Sequence, residues 1–127
     1  MFEETLVKGA KKNLALLGES GILQHAYLAG GTAIALQLGH RVSVDFDFFT
    51  IEGFVPKTFS VELSKLGSFN EEQADKGTVL GKFRKVKFSI FIYKYPLVFP
   101  PLKYLLLNIA DIRDIAAMKI DAITTRG

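Results

Sequence analysis

One short segment constrains the fold of this chain more than any other. Residues 42–49, VSVDFDFF, alternate and are rich in β-branched and aromatic side chains, which predicts a β-strand. Successive strand side chains point to opposite faces, so Asp45 and Asp47 project side by side on one face. Phe46 and Phe48 project from the other face into a core. Ionised carboxylates in so apolar a strand are costly unless something compensates them, so the strand raises the question of a site.

The pattern of apolar residues, glycines and prolines predicts the other elements. Helices are expected at residues 3–17, 32–38, 57–66 and 111–125, and strands at 26–28, at 85–93 and, as one or two edge-type strands, within 71–83. Gly18 is the expected end of the first helix, and Asn108 or Asp111 is the expected cap of the last. Helices and strands alternate without regular βαβ spacing. The expected class is therefore α+β, a small mixed β-sheet with helices packed against it, in one domain of residues 1–127.

Composition narrows the class of protein. The chain has no cysteine, which excludes disulfides and thiolate metal sites and fits a reducing compartment. The first residues, MFEETLVKGAKKN, begin with acids and lack the apolar core of a signal peptide. No apolar run approaches the ~20 residues of a membrane helix. A cytoplasmic protein that is not embedded in a membrane is expected.

Charge is distributed unevenly along the chain. Residues 1–79 carry 7 Lys/Arg and 10 Asp/Glu, a net charge of −3, whereas residues 80–127 carry 9 Lys/Arg and 3 Asp/Glu, a net charge of +6. A basic half attracts polyanions such as RNA or triphosphates, although it could equally be a solvated surface. The lysines at 82, 85, 87, 94 and 103 could form an RNA-binding face with Phe91 and Tyr93, or only a solvated sheet edge. No RNA-binding sequence motif is visible.

Two adjacent carboxylates on one strand face indicate a cation. Asp45 and Asp47 repel each other when both are ionised, unless a cation lies between them. Mg²⁺ suits such a pair, because waters and substrate phosphates can complete its octahedron of oxygen ligands. Two such ions can stabilise an in-line nucleotidyl transfer. The alternative is that the two acids are simply exposed strand residues.

Two glycines upstream indicate a phosphate site. Gly30 and Gly31 precede a short helix, so unpaired backbone N–H groups and the helix dipole point at one place. Without a Cβ, the glycines let a triphosphate approach the backbone closely. Thr32 could add a hydroxyl donor. Arg41 could form a bidentate contact with a phosphate, and Ser43 lies beside it just before the aspartates.

The glycines and aspartates together resemble a known signature. A GG pair, 13 residues and then D-x-D resemble the polymerase-β-like nucleotidyltransferase superfamily. More narrowly, GGTAIALQLGHRVSVDFDFF is similar to the AbiEii/AbiGii toxin family of nucleotidyltransferases. The tail DIAAMKIDAITTRG resembles that family's helical motif around a lysine, and KVKFSIFIYKYPLV resembles the strand and loop of one of its branches.

The resemblance implies a function and assigns roles. Asp45 and Asp47 would be catalytic Mg²⁺ ligands, and Gly30, Gly31 and Thr32 would contact the phosphates of an NTP. The nucleotide would pass to an acceptor, an RNA such as tRNA, and the partner protein would be a cognate antitoxin.

One position departs from the superfamily pattern. The superfamily takes a third carboxylate from a later strand, where this chain has Ser89, and serine cannot replace a carboxylate as a general base or charged ligand. Asp75, Glu72 or a residue absent from this chain could substitute. A catalytically inactive module that binds nucleotide, RNA or a partner is the alternative.

The last helix raises two further expectations. Lys119 is flanked by Ile112, Ala116 and Ile123 in an apolar stripe, where it either reaches the triphosphate or extends its ammonium group to water. This helix runs almost to the end of the chain, and no later element would cover it. A truncated chain is one interpretation. The other is a surface covered by a partner or second copy, which would suit an interaction module.

Overall fold

The computed structural model describes residues 1–6, 9–39 and 45–126, with residues 120–126 described as backbone alone. These residues form four α-helices and one seven-stranded mixed sheet, which confirms the α+β expectation. The helices are α1 (Ala10–Ser20), α2 (Gly30–Leu38), α3 (Pro56–Leu66) and α4 (Ile112–Arg126), preceded by a 3-10 helix at Glu3–Thr5. The strands are β1 (Ala26–Ala29), β2 (Asp45–Thr50), β3 (Phe69–Asp75), β4 (Thr78–Phe83), β5 (Val86–Ile92), β6 (Leu102–Tyr104) and β7 (Leu107–Ile109). No helix in these ranges is long and apolar enough to cross a membrane.

Strand β2 lies at the centre of the sheet. The strand order is β3-β4-β5-β2-β1-β7-β6, and β2 pairs antiparallel with β1 and parallel with β5. Consequently the last residue of β1, Ala29, lies at the same end of the sheet as the first residues of β2 and β5. The β4–β5 turn lies there too. We call this the glycine end of the sheet, because Gly30 follows β1 there.

The core lies on one face of β2. Phe46 is 1% exposed and Phe48 is fully buried, as the alternation of the strand predicts. The ring of Phe88 lies with its centroid 5.6 Å from that of Phe48 and 6.2 Å from that of Phe59 on α3. Helix α3 therefore covers this face of the sheet. The opposite face of β2 carries Asp45 and its neighbours in a half-buried environment.

The first helix differs from its prediction. Helix α1 runs through Gly18 and ends at Gly21, whose φ of +76° gives the left-handed C-cap that glycine favours. Gly18 serves close packing instead, because a Cβ there would collide with the carbonyl oxygen of Leu105. From the sequence alone, a glycine that allows a distant backbone segment to pack closely cannot be distinguished from a glycine that ends a helix.

Two features of the sheet also differ from prediction. Strand β3 is an edge strand, but β4 is not, since it lies between β3 and β5. The β6–β7 hairpin was not predicted. Its strands are only three residues long, too short to show alternation, and its turn residues Leu105 and Leu106 lack the Asn-Gly signal of such turns.

Candidate functional site

The junction between β1 and α2 brings the glycines to the aspartates. Gly30 has a φ of +65°, a left-handed conformation that favours glycine. A Cβ on Gly30 would lie 2.5 Å from Oδ2 of Asp47, so a side chain there would displace the carboxylate. Ala29, the N-cap residue of α2, has no side-chain group that could cap the first turn. The N–H groups of that turn therefore begin directly beside the Asp47 carboxylate.

Asp47 and Ser89 are neighbours across the β2–β5 pair. They are register partners, and the Ser89 hydroxyl donates a hydrogen bond of 2.9 Å to Oδ1 of Asp47. Ser89 is 7% exposed, so this contact is shielded from water. The expectation that Ser89 faces the aspartates is confirmed. It contributes a neutral hydrogen-bond donor where a third carboxylate would have contributed charge.

The electrostatic state of Asp47 follows from its surroundings. Burial raises the pKa of Asp47 above its usual value of 3.8, because the charged form loses water. The Ser89 hydrogen bond lowers this pKa, the charge of Asp45 raises it, and the charge of Lys87 lowers it. On balance the pKa is raised. The carboxylate is thus incompletely compensated within the protein, and a bound cation would stabilise its charged form.

Thr32 has a structural contact that the sequence did not indicate. Its side chain is fully buried, and its hydroxyl donates a hydrogen bond to the backbone carbonyl of Asp45. This bond ties the first turn of α2 to the start of β2. Thr32 therefore holds the glycine turn and the aspartate strand together.

A cavity of about 290 Å³ opens beside the aspartates. It is lined by residues of four elements, β1, α2, β2 and α4, and of the segment after β5: Ala29, Gly30, Phe49, Tyr93, Ile115, Met118 and Lys119. Phe49 follows Asp47 by two residues and therefore lies on the same face of β2. The rings of Phe49 and Tyr93 are 5.5 Å apart in an edge-on arrangement. The cavity is apolar and aromatic, with one cation at its rim.

Lys119 lies on α4 at this cavity, but its setting differs from the prediction. Among the described side chains of α4, Asp114, Ile115 and Met118 are buried, whereas Ala116 and Lys119 are exposed. Because Ala116 is exposed, the described part of the expected apolar stripe is not centred on Lys119, and the side chain of Ile123 lies outside the described residues. Lys119 lies at the edge of the buried stripe, where its ammonium group can reach both solvent and the cavity.

Several expected contributors lie elsewhere. Arg41 and Ser43 fall outside the described residues. Glu72 and Asp75 are on β3, which β4 and β5 separate from β2, so they are about 14 Å from it at ~4.8 Å per strand spacing. The expectation that either replaces the third carboxylate is wrong.

The chemistry of the donor set fits Mg²⁺. Asp45 and Asp47 offer hard carboxylate oxygens on one strand face, and Mg²⁺ is commonly held by one or two carboxylates together with substrate phosphates. Among the described residues there is no group of three or more His, Cys, Asp or Glu side chains arranged to hold a metal. The protein's part of such a site is therefore the aspartate pair.

Sequence reasoning missed three residues near the site. Phe49 could have been found, because alternation places it on the aspartate face. Lys87 is the register partner of Asp45, which depends on strand order. Tyr93 lines the cavity from the segment after β5, and nothing in the sequence indicated that position.

Comparison with known proteins gives two matches. The sequence model of a family described as "Nucleotidyl transferase AbiEii toxin, Type IV TA system" matches residues 14–105. An uncharacterized protein of Aquifex aeolicus (strain VF5) is 40% identical over 126 residues, which cover 96% of this chain and 61% of that protein. The chain thus spans about three fifths of the length of this relative. No solved structure matches the chain.

Proposed function

The chain belongs to the AbiEii nucleotidyl transferase toxin family, and on that premise we propose that it binds an NTP with Mg²⁺ and transfers a nucleotide to an acceptor. The observation that carries this proposal is the contact between Gly30 and the Asp47 carboxylate. It joins a helix N-terminus suited to phosphate and a carboxylate pair suited to Mg²⁺ in one place.

The roles of the residues follow from their positions. Asp45 and Asp47 would hold Mg²⁺ as catalytic metal ligands, and the bound ion would supply charge neutralisation at the phosphates. The backbone N–H groups of Gly30, Gly31 and Thr32 would donate to phosphate oxygens, because the first turn of a helix has no internal acceptors for them.

Three further side chains are proposed to contact the phosphates of the nucleotide. Lys119, at the rim of the cavity, would neutralise phosphate charge from the side opposite the sheet. Arg41 and Ser43 precede the aspartates in sequence and are proposed as additional phosphate contacts.

The apolar cavity suits the base and sugar of the nucleotide. Its volume of about 290 Å³ is at the lower end for small-molecule sites, which range from roughly 300 to 1,000 Å³. Phe49 and Tyr93 offer aromatic surface to a base, whose faces stack on such rings. A cavity with so few polar groups would bind a base by stacking more than by hydrogen bonding.

The acceptor and the protein partner are proposed as classes of molecule, without assigned contact residues. An RNA such as tRNA is the proposed acceptor, supported by the net charge of +6 in residues 80–127. A cognate antitoxin is the proposed protein partner, supported by the toxin–antitoxin system in the family description. A cytoplasmic location would suit both.

A second candidate function is nucleotide binding without transfer. Ser89 favours it, because a hydroxyl 2.9 Å from Asp47 cannot serve as a third negative ligand or general base. The two candidates share the binding site and differ only in turnover.

Two measurements test the proposal. Titration calorimetry with each NTP, with and without Mg²⁺, should show Mg²⁺-dependent binding that the Asp45→Asn/Asp47→Asn double variant loses. Wild-type protein that shows no such binding, or a double variant that binds equally well, would contradict the site. Incubation with labelled NTP and total cellular RNA then separates the candidates, since only a transferase labels the RNA.

A further inference from the structure

A cationic turn lies next to the proposed site. The β4–β5 hairpin carries four basic residues around its turn, which we call the basic hairpin: Lys82, Arg84, Lys85 and Lys87. The three lysines are exposed, and the turn lies at the glycine end of the sheet. Within the described part of the chain, no ion pair joins any of the four to a carboxylate.

Two of these lysines face each other directly. Lys82 and Lys87 are register partners across β4 and β5, so their side chains share one face with Cβ atoms roughly 5 Å apart. Like charges placed directly opposite each other destabilise a strand pair. An anion bound between them would convert this repulsion into attraction.

The turn has Arg84 and Lys85 at two positions whose backbone conformation favours asparagine and glycine. Arg84 and Lys85 have φ values of +48° and +72°, the left-handed geometry of a two-residue type I′ turn that favours Asn-Gly. The neighbouring β3–β4 turn has the expected glycine, Gly77, at its second position. The basic hairpin therefore combines repulsion between Lys82 and Lys87 with two left-handed residues that are not glycine. The backbone N–H of Arg84 donates to the carbonyl of Ser68, and Lys87 interacts electrostatically with Asp47, but no carboxylate forms an ion pair with the hairpin among the described residues.

The basic hairpin leads to the aspartates. Lys82, Lys87 and Asp45 form one row across adjacent strands β4, β5 and β2, so Lys82 lies about 10 Å from Asp45 at ~4.8 Å per strand spacing. The same sheet face carries Phe91, whose ring stacks 5.8 Å from that of Phe49. Basic side chains that follow a backbone, beside aromatic rings on which bases stack, are the features of a surface that binds single-stranded nucleic acid.

We propose that the basic hairpin binds the phosphate backbone of the acceptor as a single-stranded RNA segment and leads its end to the aspartates. Lys82, Lys85 and Lys87 contact phosphates, and Phe91 supports an unpaired base. This proposal rests on the proposed function, because that function defines the acceptor. Its tests vary Lys82 and Lys85, which lie outside the nucleotide site. An acidic protein would use the charges of the hairpin but would not need the half-buried ring of Phe91, which lies four residues along β5 from Lys87 on the same sheet face.

The test measures RNA binding without any NTP. Fluorescence anisotropy with a short labelled single-stranded RNA of mixed sequence is recorded between about 50 and 200 mM salt, where each phosphate contact on a single strand contributes about −0.7 to the slope of log K against log[salt]. The double variant Lys82→Gln/Lys85→Gln should reduce the slope by about 1.4 and weaken binding at every salt concentration. The matched control is Lys12→Gln/Lys65→Gln, which removes the same charge from exposed positions on α1 and α3. The proposal is overturned if wild-type protein does not bind the RNA, or if both double variants lose the same amount.

A second variant separates charge from turn structure. Lys85→Gly removes the cation and places glycine at a φ of +72°, so the turn should relax and the urea midpoint should not fall. RNA binding should still weaken, with the slope reduced by about 0.7. Unchanged RNA affinity in this stable variant would overturn the proposal.

The two proposals fail in distinguishable ways. RNA binding that depends on the basic hairpin, in a protein that binds no NTP, would support the surface and contradict the nucleotide site. Mg²⁺-dependent NTP binding with no RNA affinity would support the nucleotide site and contradict the RNA-binding surface. An acidic protein would then be the remaining candidate partner of the basic hairpin.

Discussion

The two faces of β2 differ in almost every physical respect, although they alternate along six residues. Phe46 and Phe48 are buried against α3 and the neighbouring strands. Asp45 and Asp47, on the other face, are half-buried, repel each other and have Ser89 and Lys87 as their nearest partners. The buried face of a strand can therefore stabilise the fold strongly enough to hold poorly compensated charges on the opposite face.

A substitution on the core face of β2 should change the free energy of unfolding more than one on the charged face. Phe48→Ala should lower the free energy of unfolding by about 3–5 kcal/mol, because it removes a fully buried ring and leaves a cavity. Urea denaturation measures this loss. Phe49→Ala, on the half-buried face, is the matched control and should lose clearly less. Equal losses would mean that the two faces do not differ in their contribution to stability.

The next effect comes from the charged face. Asp47→Asn should weaken Mg²⁺-dependent NTP binding by at least about 10–100-fold, the range seen when only an outer partner of a metal ligand is removed. Titration calorimetry measures it. In metal-free protein the same change should not reduce stability at neutral pH, since the amide removes a charge that burial disfavours.

The pH dependence of metal-free protein sharpens this prediction. The pKa of Asp47 is raised on folding, so its favourable contribution is complete below the unfolded value of about 3.8 and is lost as the pH rises through the folded pKa. The stability difference between Asp47→Asn and wild type should therefore be smallest at acid pH and should shift in favour of Asn as the pH rises. If the stability difference instead shifted in favour of wild type as the pH rises, the charged form of Asp47 would be stabilised in the folded state, which would contradict the prediction.

A smaller effect is expected at the partner of Asp47. Ser89→Ala should cost about 0.5–1.5 kcal/mol of stability, because it removes the 2.9 Å hydrogen bond. It should also raise the pKa of Asp47 further, since that bond lowers it. Chemical denaturation and NMR titration of the carboxyl measure the two effects. Ser89→Asp is the informative contrast: if transfer is absent in wild type because a carboxylate is missing, this variant should gain Mg²⁺-dependent activity.

The smallest expected effect concerns the link between the two halves of the site. Thr32→Val should cost about 1 kcal/mol, because the carbonyl of Asp45 loses its hydroxyl donor while the side-chain volume is kept. Thr32→Ser retains the hydroxyl and should preserve NTP affinity better than Thr32→Val. Identical affinities in the two variants would show that this bond does not position the site.

Much of the local structure could be predicted from the sequence. The strand around Asp45, the helix after Gly30 and the helix at residues 57–66 depend on short-range periodicity and turn residues, and each lies where these signals place it. The β6–β7 hairpin and the extension of α1 through Gly18 could not be predicted. The two meet where the carbonyl oxygen of Leu105 approaches Gly18, a contact between segments far apart in sequence.

The candidate site, too, has some properties that can be predicted from the sequence and others that cannot. The sequence shows which residues carry charge, which positions lack a Cβ and which side of β2 each side chain faces, because these properties depend on residue type and on the two-residue period of a strand. The folded sheet was needed to show that Gly30 lies close against Asp47, that Ser89 donates to Asp47, and that Lys82 and Lys87 lie in one row with Asp45. The two-residue turn fixes the register of Lys82 with Lys87, but the pairing of β2 with β1 and β5 joins segments distant in sequence. That pairing depends on how the sheet packs as a whole.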